Sequence, residues 1–152
     1  MEYKGRAQCL IVRDNKILMV KHRQGADEWY CTPGGGVEKG ETPEQAAIRE
    51  LQEECQVTGK IVMKLSEYAD PYEDGKAFYT FLVDIDNQIA ALGEDPEFSE
   101  NPVLVDVRWM SLDEICDRDR AFLWASGLIS IGQFAEELSS WGDDISYPNK
   151  RI

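Results

Sequence analysis

The chain has 152 residues, of which 43% are hydrophobic and 30% charged, as in an ordinary globular domain. This length can bury a core, and we expect one domain over residues 1–152. The formal net charge of −13 argues against a nucleic-acid polymer as a partner, since such binding needs a basic surface. No apolar run has the length of a membrane span or a signal-peptide core, so the sequence predicts a cytoplasmic protein without a membrane partner.

The cysteines predict free thiols. Cys9, Cys31, Cys55 and Cys116 include no CxxC pair, and His22 is the only histidine. A zinc site needs Cys and His ligands at short spacings, so we expect buried free thiols instead. A single histidine also argues against a histidine-based nucleophile relay.

The first 24 residues are basic, although the chain as a whole is acidic. Their cations outnumber Glu2 and Asp14 and give a local balance of +4. These cations are Lys4, Arg6, Arg13, Lys16, Lys21 and Arg23. Two interpretations stay open: a site for a small anion, with a divalent metal as a bridge, or a normally solvated pair of strands. Arg23 is our first candidate for binding the anionic end of a substrate, because it ends a predicted strand shortly before a glycine triplet.

Two apolar, β-branched runs, Ala7–Arg13 and Lys16–Arg23, flank an Asp-Asn pair and predict a tight hairpin. A short strand is expected at Trp29–Thr32, ended by a proline and the triplet Gly34–Gly36. A helix should begin in the capping box Thr42–Gln45, which has proline at the first helical position. The apolar stripe of this helix comprises Ala47, Ile48, Leu51 and Cys55.

The rest of the chain alternates between strands and short helices. In chain order we expect strands at Lys60–Tyr68 and Lys76–Asp86, a polar loop at Leu92–Pro102, a strand at Val103–Trp109, a short helix opened by the capping box Ser111–Glu114, and a last helix after Ser130 with Ile131, Phe134, Ala135, Leu138 and Trp141 on one side. This order predicts one α/β or α+β domain in which helices cover a mixed sheet.

Glu50, Glu53 and Glu54 have the spacing i, i+3 and i+4, and therefore share one face of the predicted helix. They fall within roughly 100° of each other, whereas the apolar stripe points to a separate arc. The helix can therefore bury one side and hold three carboxylates together on another. Alone, this pattern is also typical of a solvated acidic face, because the repulsion costs only about 0.2–0.5 kcal/mol per pair.

Residues 35–57, with the sequence GGVEKGETPEQAAIRELQEECQV, resemble the signature box of the Nudix hydrolases. That pattern is Gly, five residues, Glu, seven residues, and then Arg-Glu-aliphatic-any-Glu-Glu-any-Gly-aliphatic. Gly35, Glu41, Arg49 and the three glutamates all match it. The one departure is Gln56, which stands where the pattern has its last glycine.

The resemblance implies an α/β/α sandwich with a mixed sheet, which agrees with the predicted elements. It also implies a site for Mg²⁺, with Mn²⁺ as an alternative, whose ligands are Glu50, Glu53, Glu54 and the carbonyl group of Gly34. Oxygen ligands suit Mg²⁺, which is a hard cation. Glu50 and Glu53 are the catalytic candidates, and which glutamate accepts the proton is left open.

By the same resemblance, Arg49 pairs with Glu41 and ties the glycine segment to the helix. A surface contact between Arg49 and Glu53 is the alternative. The acidic loop Leu92–Pro102 either supplies one further metal ligand or carries ordinary solvated acids. Tyr72 lies where some family members carry substrate markers, although a simple turn before a hairpin explains it as well.

The resemblance predicts hydrolysis of a pyrophosphate bond in a nucleoside diphosphate linked to another moiety. Nucleoside triphosphates and ADP-ribose-like sugars are both open as substrates, and a homodimer is left open too. Two other classes are a Nudix module that binds a nucleotide without cleaving it, and a calcium-binding or structural acidic domain. All box glutamates are present and no D-x-[DN]-x-[DN]-G loop exists, so the sequence favours an enzyme.

Gln56 stands where a left-handed backbone lets the chain turn away from a helix. Either Gln56 accepts this conformation at a cost of about 1–2 kcal/mol, or the helix end shifts toward Gly59, which can take the turn. Both costs reduce stability and leave the three glutamates in place, anchored by Ile48 and Leu51 in the core. We therefore expect an active enzyme.

Overall fold

The computed structural model describes residues 4–70, 73–93, 103–132, 134 and 136 and has an α+β fold. The strands in this part of the chain are β1 (Lys4–Leu10), β2 (Val12–Arg13), β3 (Lys16–Gln24), β4 (Asp27–Cys31), β5 (Gly34–Gly36), β6 (Lys60–Ala69), β7 (Lys76–Asp84) and β8 (Val103–Met110). The helices are α1 (Pro43–Cys55) and α2 (Asp117–Ala125), with 3₁₀ turns at Leu112–Glu114 and Leu128–Ser130.

The strands form two sheets. The first has the order β5-β1-β7-β6, in which β1 and β7 run parallel and the other neighbours run antiparallel. In the second sheet, β3 pairs antiparallel with β2, β4 and β8. The predicted combination of helices with a mixed sheet is confirmed.

The predicted N-terminal hairpin forms, but its first run is divided between the two sheets. Asp14 and Asn15 have φ values of 51° and 60°, as a type I′ turn requires, and Arg13 pairs with Lys16 across them. Ile11 separates β1 from β2. Before this break the chain pairs with β7, and after it the chain pairs with β3. One stretch of sequence therefore joins both sheets.

Apolar side chains are buried on both faces of β3. Leu18 and Val20 belong to a core shared with α1, whereas Ile17 and Met19 belong to a second core shared with α2. Alternate residues of a strand point to opposite faces, so the sheets lie between the two helices. A strand buried on both faces reads as a continuous apolar run, as the sequence ILMV does. The expected α/β/α sandwich is present.

The glycine triplet forms a strand of its own. The sequence pattern predicted instead that the triplet ends the preceding strand. Gly34–Gly36 pair antiparallel with β1, and Gly35 lies opposite Ala7. A Cβ at Gly34 would lie 2.4 Å from the carbonyl oxygen of Ala7, so this approach requires glycine. Glycine is depleted in strands, and the local sequence therefore does not reveal the pairing.

Helix α1 begins as predicted. The Thr42 hydroxyl accepts a hydrogen bond from the backbone N–H of Gln45 (3.1 Å), and the Gln45 side chain accepts one from the Thr42 N–H (2.9 Å). On its inner side Ala47, Leu51 and Cys55 are fully buried. The capping box and the apolar stripe thus fix where the helix begins and which side faces the sheet.

The region after β8 differs from the prediction. The capping box at Ser111 opens only the 3₁₀ turn Leu112–Glu114, and a separate helix, α2, begins at Asp117. The charged start of α2, DRDR, and its weak apolar stripe explain why the sequence pattern did not predict it. Arg120 is buried and donates to the carbonyl oxygen of Leu112 (3.0 Å), which holds α2 to the preceding turn.

Parts of two predicted elements lie outside the described residues. These are residues 94–102 of the predicted loop and most of the last helix, of which Phe134 is described and is buried in the second core. In the part of the chain that the structure describes, no helix is both long and apolar enough to cross a membrane.

All four cysteines are free. Cys9 and Cys55 are buried, as expected, whereas Cys31 is half-buried and Cys116 is exposed. Cys116 is the residue that precedes α2, at its N-cap. The expectation that every thiol is buried is therefore wrong for Cys116.

Candidate functional site

Strand β5 lies directly against the carboxylates of α1. A Cβ at Gly35 would lie 2.4 Å from Glu50 Oε1, so the strand backbone touches this carboxylate. The side chains of Glu50 and Glu54 are 4% and 1% exposed, whereas that of Glu53 is 24% exposed. A solvated acidic face is therefore the wrong description of Glu50 and Glu54, which lie in the interior.

Arg49 connects α1 to the segment that follows β5. Its Nε donates to Glu41 Oε2 at 2.7 Å and its Nη2 to Glu41 Oε1 at 3.0 Å, a two-point contact. Nη2 also donates to the carbonyl oxygen of Gly36 at 3.0 Å. Nη1 donates to Glu50 Oε1 at 3.0 Å and to Glu53 Oε2 at 3.3 Å. The contact with Glu41 and the alternative contact with Glu53 are both present.

The contact between Arg49 and Glu41 stabilises the charged form of each group. The hydrogen bond from Arg49 lowers the pKa of Glu41, and partial burial opposes this effect. The same hydrogen bond raises the pKa of Arg49 above its ordinary value. The pair is therefore an ion pair throughout the neutral range.

Burial has the opposite effect on Glu50. It raises the pKa of Glu50 from an ordinary value of 4.5 to about 7, and the neighbouring charge of Glu54 adds to the rise. The guanidinium of Arg49 opposes both effects. Glu50 and Glu54 are thus close enough to repel each other when both are ionised.

Glu54 is contacted at both of its carboxylate oxygens. Oε1 accepts a hydrogen bond from the backbone N–H of Gly34 at 2.8 Å. Oε2 lies 3.5 Å from Nε2 of His22. Sequence reasoning did not place His22 in the site, because His22 lies outside the box and on a different strand, β3.

The donor chemistry of this site fits the divalent cation that the resemblance implies. Carboxylate and carbonyl oxygens are the ligands that Mg²⁺ prefers, and a cation would relieve the repulsion between Glu50 and Glu54. The missing Cβ of Gly35 lets the peptide backbone approach these carboxylates. Among the described residues, no three His, Cys, Asp or Glu side chains are already grouped as ligands. Arg49 and the Gly34 N–H instead hold the carboxylates.

Gln56 adopts the left-handed conformation, with φ 57° and ψ 34°, and forms the C-cap of α1. The first of the two alternatives for Gln56 is therefore correct. Gly59 has another role: a Cβ there would lie 2.5 Å from Val83 Cγ1 and 2.8 Å from Leu51 Cδ2. Gly59 thus allows close packing and does not end the helix.

The segment 91–93 completes the end of α1. The N–H groups of Ala91 and Gly93 donate to the carbonyl oxygens of Cys55 and Glu54, each at 2.9 Å. The side-chain amide of Gln56 donates in return to a carbonyl oxygen of this segment, that of Leu92, at 2.6 Å. Because the last carbonyls of a helix have no partner inside the helix, these contacts satisfy groups that are otherwise left to solvent.

Of the two predicted substrate contacts, the structure describes Arg23 but not Tyr72. Arg23 is near the end of β3, with its Nε 3.4 Å from Glu28 Oε1. Tyr72 and residues 94–102 lie outside the described residues. Arg6, which sequence reasoning did not single out, is exposed on β1 opposite Gly36. Its register places this cation beside the glycine strand.

A cavity of about 220 Å³ lies between β4 and the start of α2. Trp29 and Tyr30 line it from the strand, and Ile115, Cys116 and Asp119 from the other side. The cavity therefore presents two aromatic side chains that lie outside the box.

A family model described as the NUDIX domain matches residues 3–129 of the chain. The chain belongs to the NUDIX family. The box residues of this NUDIX chain are those that build the contact between β5 and α1.

Two curated relatives show the degree of similarity. An ADP-ribose pyrophosphatase of Methanocaldococcus jannaschii is 33% identical over 95 residues, which cover 60% of this chain and 56% of the relative. Diphosphoinositol polyphosphate phosphohydrolase 3-alpha of Mus musculus is 34% identical over 86 residues, covering 55% of this chain and 52% of the relative. The matched segment thus spans about half the length of these curated relatives.

Solved structures share the fold. A NUDIX hydrolase from Nitrosomonas europaea superposes with a TM-score of 0.59 at 22% identity, covering 78% of this chain and 63% of that one. A MutT NUDIX hydrolase from Burkholderia pseudomallei gives a TM-score of 0.57 at 21% identity, covering 80% of this chain and 95% of that one. At these identities the likeness concerns the fold.

Proposed function

We propose that this chain hydrolyses a pyrophosphate bond in a nucleoside diphosphate linked to another moiety. The observation that supports this most strongly is the burial of Glu50 and Glu54 side by side against the glycine strand of a NUDIX chain. Two carboxylates buried so close together are costly unless a cation or a shared proton stabilises them. A cation site next to a substrate phosphate explains this arrangement.

Glu50, Glu53, Glu54 and the carbonyl oxygen of Gly34 would hold the cation, Mg²⁺ or Mn²⁺. When bound, the cation would neutralise the charge of the phosphate and lower the pKa of a water molecule. Arg49 positions Glu50 and Glu53 through its Nη1. Either of these two glutamates accepts the proton of the attacking water.

Basic side chains outside the box are proposed to bind the anionic end of the substrate. Arg23 was the first candidate, and its head group also contacts Glu28. Arg6 is a second candidate, because it is exposed beside Gly36 and no ion pair in the described part of the chain involves it. Both positions contribute positive charge on a protein that is otherwise strongly acidic.

A panel of substrates tests the proposal. The purified chain is incubated with nucleoside triphosphates, ADP-ribose-like sugars and a diphosphoinositol polyphosphate, each in Mg²⁺, Mn²⁺ or EDTA, and the products are separated by anion-exchange chromatography. We expect at least one compound to be cleaved at its pyrophosphate bond with metal and none to be cleaved in EDTA. Binding without cleavage under every condition would contradict the proposal and favour the ligand-binding module.

A further inference from the structure

His22, the only histidine in the chain, contacts a different residue through each ring nitrogen. Nε2 lies 3.5 Å from Oε2 of Glu54, and Nδ1 lies 3.5 Å from Sγ of Cys31. The ring also stacks on Trp29, with centroids 5.8 Å apart and planes inclined by 16°. The side chain is 12% exposed, so these three neighbours largely fix its orientation.

The contact with Cys31 can select which ring nitrogen of His22 carries the proton, because a thiol hydrogen can be donated to Nδ1. Burial raises the pKa of the Cys31 thiol to about 12, and the charge of Glu54 adds to the rise, so the sulfur keeps its hydrogen at neutral pH. A thiol that donates to Nδ1 requires this nitrogen to be the acceptor. The ring proton is then on Nε2, the nitrogen that faces Glu54.

Glu54 therefore accepts a hydrogen bond from the Gly34 N–H at Oε1 and has Nε2 of His22 3.5 Å from Oε2. The Gly34 N–H belongs to the backbone of β5, and the pairing of Gly34 with Gln8 of β1 fixes its position. The second donor, Nε2 of His22, comes from β3, a strand of the other sheet. A carboxylate held at both oxygens has little freedom to rotate, and such contacts orient groups that bind metals.

We propose that His22 is a positioning residue: its Nε2–H fixes the carboxylate of Glu54 in the orientation that binds the divalent cation, and Cys31 fixes the tautomer of His22. This inference rests on the proposed function, since it assumes that Glu54 is a ligand. It adds a residue of β3 to a site that the box alone places on β5 and α1.

The alternative is that His22 only fills space against Trp29. Two substitutions separate these roles. His22→Phe keeps an aromatic ring for the stack but has no donor. His22→Gln loses the ring, but its side-chain N–H₂ group can reach the position of Nε2. His22→Asn is the matched control for Gln, because its shorter amide stops near the position of Nδ1.

The first experiment measures the binding of Mn²⁺ to substrate-free protein by titration calorimetry, with thermal unfolding to check the fold. We expect His22→Phe and His22→Asn to bind Mn²⁺ about 10- to 100-fold more weakly than the wild type. We expect His22→Gln to stay within about threefold of the wild type, because it keeps the donor. Should the Phe variant fail to fold, the contrast between Gln and Asn still decides.

The second experiment reads the tautomer directly. A single histidine gives one ring in the spectrum of protein labelled with ¹⁵N-histidine and freed of any tag. In EDTA we expect the two ring nitrogens to show the Nε2–H tautomer, and Cys31→Ala to yield a mixture of tautomers. Cys31→Ser keeps a hydroxyl donor and should preserve the wild-type spectrum.

The outcomes distinguish this inference from the proposed function. A wild-type protein that binds no Mn²⁺ and cleaves no substrate would overturn both. A wild type that binds Mn²⁺ and cleaves substrate, with His22→Phe or His22→Asn binding Mn²⁺ equally well, would overturn only the role of His22. Mn²⁺ binding that is weakened equally in His22→Gln and His22→Phe would also refute the role of His22. An Nδ1–H tautomer in the wild type would refute it as well.

Discussion

Among the three box glutamates of α1, Glu53 stands nearest to solvent, with 24% of its side chain exposed. The change Glu53→Gln keeps the size and the helix propensity of the side chain but removes a charged ligand. We expect kcat to fall by at least about a hundredfold. The melting temperature should stay within about 4 °C of the wild type, because Arg49 loses its ion pair with Glu53 but keeps those with Glu41 and Glu50. Steady-state kinetics on the best substrate and thermal unfolding measure the two effects.

Glu44→Gln is the control for this change. Glu44 lies in the first turn of the same helix, is exposed, and is not part of the box pattern. Its removal should leave kcat unchanged. A Glu53→Gln protein with near-normal turnover would show that Glu53 is not a ligand.

Glu41 should make stability depend on pH on the acid side. Arg49 lowers the pKa of Glu41 in the folded protein, so the stabilisation is fully present above the ordinary value of 4.5 and is lost as pH falls through the lowered pKa. At pH 7 we expect Glu41→Gln to reduce the free energy of unfolding by about 1–3 kcal/mol. Urea unfolding of both proteins at several pH values should show this difference shrinking below pH 4.5. A difference that grows toward acid would contradict the assignment.

Arg6 and Arg23 can be ranked by their kinetic effects. We expect Arg23→Ala and Arg6→Ala to raise KM more than they lower kcat, the pattern of lost uniform binding. The effect should be larger for Arg6, which lies beside the glycine strand and has no carboxylate partner among the described residues. Lys16→Ala, at the tip of the hairpin, is the control and should leave KM unchanged. If KM is unchanged for Arg6 and Arg23 too, both are ordinary surface residues.

At the scale of the element, the end of α1 combines a strained residue with a stabilising contact. Gln56→Gly relieves the left-handed strain but loses the hydrogen bond to Leu92, so its net effect on stability should be near zero. Gln56→Ala keeps the strain and loses the bond. We therefore expect the Gly variant to be more stable than the Ala variant by about 1–2 kcal/mol, measured by urea unfolding.

Both Gln56 variants should retain kcat/KM within a few-fold of the wild type. The reason is that Ile48 and Leu51 hold α1 against the core, so the glutamates keep their positions whatever ends the helix. A large gain of activity in Gln56→Gly would instead mean that the natural residue impairs the site. Equal stability of the Gly and Ala variants would show that Gln56 bears no strain.

Local chemistry explains which elements the sequence could predict. The type I′ turn at Asp14 and the capping box at Thr42 depend on a few adjacent residues, and both were predicted. Strand β5 depends on β1, and its glycines carry no strand signal, so its pairing was not predicted. Helix α2 is largely polar and was missed because its apolar stripe is weak.

The same distinction applies to the site. The resemblance to the Nudix box implies that Glu41 and Arg49 pair, and the structure places them in contact. The burial of Glu50 and Glu54 was not predicted, because it results from β5 packing on the helix face. The contact between His22 and Glu54 joins two strands and a helix through tertiary packing alone, and no sequence motif records it.

At the scale of the whole molecule, packing on both faces of the sheets determines which thiols are accessible. Cys9 and Cys55 are buried, the pKa of the half-buried Cys31 is raised to about 12, and Cys116 is exposed. We expect one thiol to react rapidly with Ellman's reagent in the native protein and four to react in guanidinium chloride. Cys116→Ser should remove the rapid reaction. Two or more rapid thiols in the native protein would show that the cores open readily.

Strand β1 is the first strand in the described part of the chain but lies in the interior of its sheet, between β5 and β7. Lys4 pairs with Lys76 and Leu10 with Leu82. Strand β1 can therefore pair with β7 only after the residues between them have been synthesised. Pairings between distant parts of a chain form slowly. Until β7 emerges, one edge of β1 stays unpaired and the apolar side of α1 has an incomplete sheet to pack on. Unpaired strand edges favour aggregation, so the nascent chain carries this risk until β7 is synthesised.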